Sequence, residues 1–153
     1  MGKISAIIVD IDETLANTGH RVHFVKQKPR DWDSYYAGMD EVNLWCREIV
    51  MAMFCRRKKI LFVTGRPEKY RLTTIDWIKS SAFNGISPGP ATWELLMRPD
   101  DDFRPDNVLK KEIWEREIKD KYDVLFVIED RLRVVQMWRS IGLTCLQCVD
   151  GNY

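Results

Sequence analysis

The chain has 153 residues, enough for one domain with its own core and too few for two domains of ordinary size. Hydrophobic residues make up 45% and charged residues 31%, a balance typical of globular chains and not of disordered ones. The formal net charge of +1 excludes a uniformly basic surface that binds duplex DNA through counterion release alone. No apolar run approaches the roughly 18 residues of a membrane span, so we expect no membrane segment. The four cysteines are expected to be reduced thiols, which predicts a cytoplasmic protein.

The amino-terminal part of the sequence predicts a strand followed by an irregular region. Ile4 to Val9 is rich in β-branched residues and ends abruptly in acidic ones. Residues 12–39 follow no steady hydrophobic period and contain Gly19 and Pro29. They predict a long loop or a small insert, at about residues 17–39. Loops of this length inside a compact domain are usually functional.

Strand-like and helix-like runs then alternate along the chain. Apolar spacing predicts helices over residues 40–55, 67–80, 106–119 and 131–141. Asp40 is expected to cap the first of these helices and Pro67 to lie in the first turn of the second. Further strands are expected over residues 60–63, 92–97, 124–128 and 143–149. This alternation predicts a doubly wound, mainly parallel five-stranded sheet with helices on both faces and right-handed crossovers.

The pair Cys145-x-x-Cys148 lies in the last of these predicted strands. Such a pair is compatible with a metal knuckle or a redox site, but no second pair or nearby histidine completes a zinc-binding set. The alternating pattern of residues 143–149 favours the strand.

Candidate functional residues follow the ends of the predicted strands, where ligands bind in doubly wound sheets. The first strand ends in Asp10-Ile11-Asp12-Glu13-Thr14, which directs the carboxylates of Asp10 and Asp12 to one side. The second strand runs into Thr64-Gly65-Arg66, a hydroxyl with backbone amides at an expected helix start, which suits a phosphate. Lys110 lies early in the third helix, and the fourth strand ends in Glu129-Asp130.

This order of residues resembles the haloacid dehalogenase-like superfamily of phosphohydrolases over nearly the whole chain. The segments from Arg104 to Ile113 and from Ile128 to Gly142 further resemble the 3′-phosphatase domain of phage polynucleotide kinase–phosphatases. The kinase half of those proteins is missing, because no Gly-x-x-x-x-Gly-Lys-Ser/Thr motif occurs in the sequence. We therefore expect a free-standing phosphatase domain over residues 1–153, located in the host cytoplasm if a phage encodes it.

The resemblance assigns roles to the candidate residues. It implies that Asp10 attacks phosphorus and forms an aspartyl-phosphate, while Asp12 acts as general acid and then as general base. It also implies Mg²⁺, held by the Asp10 carboxylate, the Asp12 main-chain carbonyl and Asp130, with Glu129 as a further candidate ligand. Thr64 and Lys110 are expected to hold the transferred phosphoryl group. The expected substrate-binding residues are Arg21, Gly65, Arg66, Arg98, Arg104 and Asp106.

Two residues depart from the family pattern. Glu13 replaces the commoner glycine, which constrains the loop after the first strand. Glu129 replaces an aspartate in the acidic pair, which leaves open whether it reaches the metal directly.

The substrate is expected to be the 3′-phosphorylated end of a nucleic acid. The insert is too small for the cap domain with which larger relatives bury small substrates, and an open site admits the end of a polymer. Trp32, Tyr35 and Tyr36 could stack on bases or simply pack the insert onto the domain. The remaining tryptophans at helical apolar spacing are expected in the core: Trp45, Trp77, Trp114 and Trp138.

Two alternative functions remain open from the sequence. A 5′(3′)-nucleotidase acting on free mononucleotides would share every catalytic residue and differ only in the insert. An inactive nucleic-acid-binding module is the alternative from another class, and the full set of catalytic residues argues against it.

Overall fold

Five parallel strands form the central sheet of the protein, whose structure is a computed structural model that describes residues 2–37 and 40–152. The strand order is β5-β4-β1-β6-β7, which confirms the predicted doubly wound sheet. A separate antiparallel ribbon pairs two short strands, β2 and β3. The strands are β1 (Ile4–Val9), β2 (Ala16–Asn17), β3 (Glu41–Val42), β4 (Lys59–Pro67), β5 (Trp93–Arg98), β6 (Tyr122–Arg131) and β7 (Cys145–Gly151).

Helices cover both faces of the sheet, because alternate residues of each central strand point to opposite sides. On β1, Ile7 and Val9 pack into one hydrophobic cluster, and Ala6 and Ile8 into the other. The helices are α1 (His23–Lys26), α2 (Trp32–Ala37), α3 (Leu44–Cys55), α4 (Arg71–Trp77), α5 (Asp106–Ile113) and α6 (Leu132–Ser140). Helices α4 and α5 each continue into a π-helical turn, over Ile78–Ala82 and Trp114–Ile118. Helix α3 and the α4 segment contribute to the first cluster, and α5 and α6 to the second.

The predicted helix over residues 40–55 begins four residues later than expected. Glu41–Val42 forms β3 and pairs with β2, so α3 starts at Leu44 and Asn43 occupies the N-cap position. Asp40 is therefore not the cap, and its carboxylate serves the site described below. The insert before it contains α1 and α2, while residues 38 and 39 of its predicted span lie outside the described residues.

The predicted helix over residues 67–80 begins one residue later, as a 3₁₀ turn over Glu68–Tyr70 with Pro67 at its N-cap position, and continues as α4 from Arg71. Pro67 is the last residue of β4, which pairs with β5 as far as the register Pro67–Arg98 after an irregularity beyond Val63. A proline is tolerated at such an irregular strand end, where its missing amide breaks no ladder. Thr64, Gly65 and Arg66 thus lie on extended backbone, and the expected helix N-terminus is not there.

Three of the four tryptophans expected in the core are at least partly buried. Trp138 and Trp77 are buried and Trp114 is half-buried, but Trp45 is 43% exposed. The prediction for Trp45 is wrong because the buried stripe of α3 runs through Cys46 and Val50, one position further along the helix. Among the described residues, no helix has the length and apolar character needed to cross a membrane.

Candidate active site

A pocket of 90 Å³ lies beyond the carboxyl ends of β1, β4 and β6, where the topology brings together residues from distant parts of the sequence. The first turns of α5 form one wall, and the insert forms the rim. Seven of the predicted site residues line this pocket: Asp10, Asp12, Gly65, Asp106, Lys110, Glu129 and Asp130.

Lys110 is the centre of what we call the carboxylate floor, which consists of Asp10, Lys110, Glu129 and Asp130. Its Nζ donates to Asp10 Oδ1 at 2.6 Å and to Glu129 Oε2 at 2.8 Å. The lysine is only 2% exposed, because α5 packs its first turns against the sheet. A buried ammonium needs anionic partners, and the ends of β1 and β6 provide them.

The charges of the floor perturb one another strongly. Burial and the neighbouring Glu129 carboxylate raise the pKa of Asp10 well above its ordinary value, although Lys110 acts in the opposite direction. Burial likewise raises the pKa of Glu129 to about 7. Burial alone would lower the pKa of Lys110, but Asp10 and Glu129 together raise it above its ordinary value. The floor has three carboxyl groups and one ammonium group. A bound cation would favour the ionised form of its carboxyl groups.

The floor also fits a divalent metal. Oxygen atoms from Asp10, Glu129 and Asp130 lie within 4.8 Å of one another, and all three residues are buried. An oxygen-only donor set with few protein ligands suits Mg²⁺, which haloacid dehalogenase-like phosphatases usually use. Both oxygens of Glu129 already accept hydrogen bonds, Oε2 from Lys110 and Oε1 from the main-chain amides of Asp130 and Arg131. A direct bond from Glu129 to the metal stays a prediction.

Thr14 is a site residue to which sequence reasoning gave no role. Its hydroxyl lies 3.1 Å from Asp10 Oδ2 and 3.3 Å from Asp130 Oδ1, so it links the floor's carboxylates from two strands. Its side chain is fully buried. The sequence feature that could have identified Thr14 is its position in Asp-x-Asp-x-Thr. The tight turn after β1 brings the Thr14 side chain back over Asp10.

A second ionic network, which we call the Asp40 bridge, joins Arg21, Asp40, Arg66 and Asp12. Arg66 holds Asp12 through two guanidinium nitrogens, Nε at 3.0 Å and Nη2 at 2.7 Å, and Nη2 also donates to Asp40 at 3.0 Å. Arg21 forms a bidentate pair with Asp40, with Nε at 2.7 Å. The bridge thus fixes the Asp12 carboxylate at the pocket and ties the insert to β4.

The bridge engages two arginines that the sequence assigned to the substrate. Arg21 is 3% exposed and lies 5.0 Å from the centre of the Tyr35 ring, and the described lining of the pocket contains its neighbours Val22 and Val25 instead. Arg66 is 4% exposed and bound to two carboxylates. The structure gives both arginines a positioning role toward Asp12, and their contact with substrate stays a prediction.

Asp106 organises the opposite wall of the pocket. Its carboxylate accepts from Arg98 and, at 2.8 Å, from Arg131 Nη1. Gly65 makes room for it, since a Cβ atom there would lie 2.8 Å from Asp106 Oδ1. Arg104 lies outside this wall and pairs with Asp102 and Glu112 near the surface.

Thr64 and Gly151 support the backbone of the site. Thr64 is fully buried at the end of β4, and its hydroxyl accepts from the amide of Arg66 at 3.1 Å, so its contact with a phosphoryl group stays a prediction. Gly151, at the end of β7, was missed by sequence reasoning. A Cβ atom there would lie 2.5 Å from the carbonyl oxygen of Asp130, so only glycine fits beside this carboxylate's backbone.

The aromatic residues of the insert divide between packing and exposure. Tyr35 is 8% exposed and its hydroxyl lies 3.2 Å from that of Thr18, so it packs the insert onto the domain. Tyr36 is half-buried, and Trp32, which lies against it, is 44% exposed. Trp32 therefore keeps a surface on which a base could stack.

Comparison with protein families gives a match over residues 4–153 to the phosphatase domain of polynucleotide kinase PNKP. A protein of Autographa californica nuclear polyhedrosis virus, assigned by name as a bifunctional polynucleotide kinase/RNA ligase, is 31% identical over 149 residues. That match covers 97% of this chain but only 20% of the viral protein.

Solved structures give the same fold. A chain of the Pnkp1/Rnl/Hen1 RNA repair complex superposes with a TM-score of 0.77 and 29% identity, covering 99% of this chain and 44% of the other. The class C acid phosphatase of Bacillus anthracis superposes with a TM-score of 0.69 at 16% identity, covering 100% and 69%, and shares the fold alone. The chain thus spans less than half of the RNA repair protein and a fifth of the viral relative.

Proposed function

This chain belongs to the family of polynucleotide kinase PNKP phosphatase domains, and from that premise we propose that it removes 3′-phosphates from polynucleotide ends. The observation that carries the proposal is the pairing of Asp10 and Asp12 at one pocket, each held by a different cation. Lys110 lies 2.6 Å from Asp10 Oδ1, and Arg66 binds Asp12 through two nitrogens. Two carboxylates in such different surroundings suit two different tasks.

Asp10 is the proposed nucleophile. Its carboxylate attacks phosphorus, the bond from phosphorus to the 3′-oxygen breaks, and an aspartyl-phosphate forms. Thr14 and Lys110 restrict the carboxylate's orientation, which lowers the entropic cost of an in-line attack. Lys110 also offsets the charge that builds up as an anionic phosphate meets an anionic carboxylate.

Asp12 is the proposed general acid and base. It donates a proton to the departing 3′-oxygen, and it then removes a proton from the water that hydrolyses the aspartyl-phosphate. The Asp12 side chain is 19% exposed, which gives it access to substrate and water at the pocket. Arg66 holds its orientation throughout, and Asp40 holds Arg66.

Asp10, Asp130 and the main-chain carbonyl of Asp12 are the proposed metal ligands, with Glu129 as a further candidate. When bound, Mg²⁺ would neutralise the carboxylates and polarise a phosphoryl oxygen. Arg21, Arg98 and Arg104 remain proposed contacts for the substrate strand, together with Gly65, Arg66, Thr64 and Asp106 around the phosphoryl group.

The relatives support a polynucleotide as the substrate. One is assigned by name as a polynucleotide kinase/RNA ligase and another is part of an RNA repair complex, so we propose that this domain prepares 3′-hydroxyl ends for ligation in RNA repair. One relative is a viral protein, and viral proteins act inside the host. This supports our proposal that the domain acts in the host cytoplasm, as it would if a phage encoded it.

A phosphate-release panel tests the function. It compares 3′-phosphorylated oligonucleotides, 5′-phosphorylated oligonucleotides, 3′-mononucleotides and 5′-mononucleotides at equal concentrations. We expect the highest kcat/KM on the 3′-phosphorylated oligonucleotides, with RNA and DNA strands measured separately. A preference for either mononucleotide would instead identify a nucleotidase, and the absence of turnover on all four substrates would identify a binding module.

Metal removal tests the proposed cofactor. We expect chelation to abolish turnover and Mg²⁺ to restore it. Ca²⁺ should bind without supporting turnover, because it takes six to eight oxygens and can engage both oxygens of Asp10, leaving none free to attack. Rates with Ca²⁺ close to those with Mg²⁺ would contradict this assignment.

A further inference from the structure

A larger cavity of 640 Å³ opens beside the site pocket. We call it the aromatic groove. The insert forms one wall, and the loop of residues 99–105, which follows β5, forms the other. The groove and the site pocket share Trp32, Tyr36 and Gly65 in their linings, so the groove is continuous with the place where phosphate would react.

Phe103 is the most exposed large hydrophobic residue among those that the structure describes, at 90%. It lines the aromatic groove from the 99–105 loop. Arg98 Nη1 donates to the carbonyl oxygens on either side of it, that of Asp102 at 3.0 Å and that of Arg104 at 2.7 Å. The backbone is therefore fixed on both sides of a ring that the protein leaves in water. The fixed backbone holds the ring's point of attachment at the groove, while the ring itself stays open to contact with a flat ligand.

The insert also contributes an aromatic surface to the groove lining. The ring of Trp32 lies nearly parallel to that of Tyr36, with 5.9 Å between the centroids and 17° between the planes, and Tyr36 in turn contacts Tyr70. Trp32 is thus supported from behind while 44% of its surface remains exposed.

The charges of the groove balance one another, so charge alone does not attract backbone phosphates to it. Its lining contains four cationic residues and four aspartates. Several of these are already paired within the protein, Lys69 with Asp33 at 2.8 Å and Arg104 with Asp102 at 2.6 Å. Exposed rings in a charge-balanced groove suit the flat, uncharged faces of nucleobases better than they suit backbone phosphates.

We propose that the aromatic groove receives the nucleobases nearest the reacting 3′-phosphate, with Phe103 as the stacking platform. The inference rests on the proposed function and specifies how that function recognises a strand. Because every base has a π-face, recognition through Phe103 is tolerant of sequence. The groove then favours a strand end that carries bases, whereas the carboxylate floor acts on any phosphomonoester that reaches it.

The test compares two 3′-phosphorylated tetranucleotides, one complete and one without bases at its last two positions. The chain variants are Phe103→Ala, Phe103→Trp and, as a matched control, Ile86→Ala. Ile86 is also exposed, but it lies in the loop before β5, outside the groove lining. We expect the unmodified protein to favour the complete strand by about tenfold in kcat/KM, in the range of one stacked base. Phe103→Ala should abolish that preference and leave the rate on the abasic strand unchanged, while Phe103→Trp and Ile86→Ala should retain it.

A binding measurement complements the kinetics. Anisotropy of a labelled complete strand on Asp10→Asn, with and without Phe103→Ala, should show the same tenfold loss. Equal losses on both strands, or no preference in the unmodified protein, would overturn the groove assignment while phosphatase activity on oligonucleotides persists. Turnover of mononucleotides with none on any oligonucleotide would overturn the proposed function, and the groove assignment with it.

Discussion

The carboxylate floor and the Asp40 bridge are two buried ionic networks at one pocket, and they differ in charge balance. The floor contains three carboxylates and one ammonium, and Lys110 pairs with two of the carboxylates, those of Asp10 and Glu129. The bridge sets two guanidinium groups, those of Arg21 and Arg66, against two carboxylates. The floor is buried throughout, and so are Arg21, Arg66 and the Asp40 carboxylate of the bridge, whereas the Asp12 side chain is 19% exposed at the pocket.

This difference fits the separate roles that we propose for the two networks, catalysis for the floor and positioning for the bridge. The two guanidinium groups of the bridge balance its two carboxylates. Their contacts fix the Asp12 side chain and anchor the insert to β4. The floor has more carboxylates than cations among its four residues, and burial together with the neighbouring Glu129 carboxylate raises the pKa of Asp10. Functional sites often keep such unfavourable features because the reaction needs them.

The largest expected effect is that of Asp10→Asn. Because it removes the proposed nucleophile, this substitution should lower kcat by about 10⁴-fold or more on every phosphomonoester. Because the substitution also removes one of three buried like charges, the variant measured in chelator should unfold at the same Tm as the unmodified protein or at a higher one. Mg²⁺ should raise the Tm of the unmodified protein more than that of the variant.

Phosphate release and thermal unfolding in chelator or Mg²⁺ measure these effects. A folded Asp10→Asn protein with near-normal turnover would rule out the covalent mechanism. A large fall in its Tm would show that the floor is balanced like the bridge, and the contrast between the two networks would disappear.

The next effect is that of Asp40→Asn on stability. This change leaves the buried Arg21 without its anionic partner, and breaking such a pair costs about 3–5 kcal/mol of the free energy of unfolding. For a chain of this length we expect a fall in Tm of about 10 °C. The Tm increase that Mg²⁺ produces should persist, because the floor is intact. A loss of that increase with little change in basal Tm would reverse the roles assigned to the two networks.

Gly65→Ala should have a moderate effect on activity and stability, through the wall of the pocket that Asp106 organises. The new methyl group would meet Asp106 Oδ1 and force the Asp106–Arg98 pair to shift, at a cost of about 1–3 kcal/mol. We expect a lower kcat/KM together with a modest loss of stability. Gly89→Ala is the matched control, since no atom lies within 4 Å of a Cβ atom there. Equal behaviour of the two alanine variants would show that the close approach at Gly65 has no consequence.

The smallest effect is expected for Glu115→Gln. Glu115 and Lys111 form an exposed pair on the α5 segment, 4.0 Å apart and about half exposed. Exposed pairs contribute little, so the free energy of unfolding should change by less than about 0.5 kcal/mol and activity should not change. Urea unfolding of Glu115→Gln and of Asp40→Asn measures the loss in free energy of unfolding for each variant. The difference between the two losses shows how far burial determines the strength of an ion pair. A loss comparable to that of Asp40→Asn would contradict the comparison.

The sequence by itself determined the sheet and the position of the acidic residues at its edge. Strand β1 and the acidic residues after it could be predicted because a β-branched run and Asp-x-Asp-x-Thr are local patterns. Parallel strands share one carboxyl edge, so Asp10, Lys110 and Asp130 could be expected to meet there. The family resemblance added their roles.

Only the tertiary structure decided which residues hold the site residues in position. Asp40 looks like a helix cap in the sequence, but pairing of β3 with β2 moves the start of α3 and places its carboxylate between two arginines. Gly151 and Phe103 carry no local pattern. Gly151 is required by the backbone of Asp130, on a neighbouring strand, and Phe103 is exposed by a turn that Arg98 fixes. Contacts between distant segments depend on how the chain packs, and local propensity does not specify them.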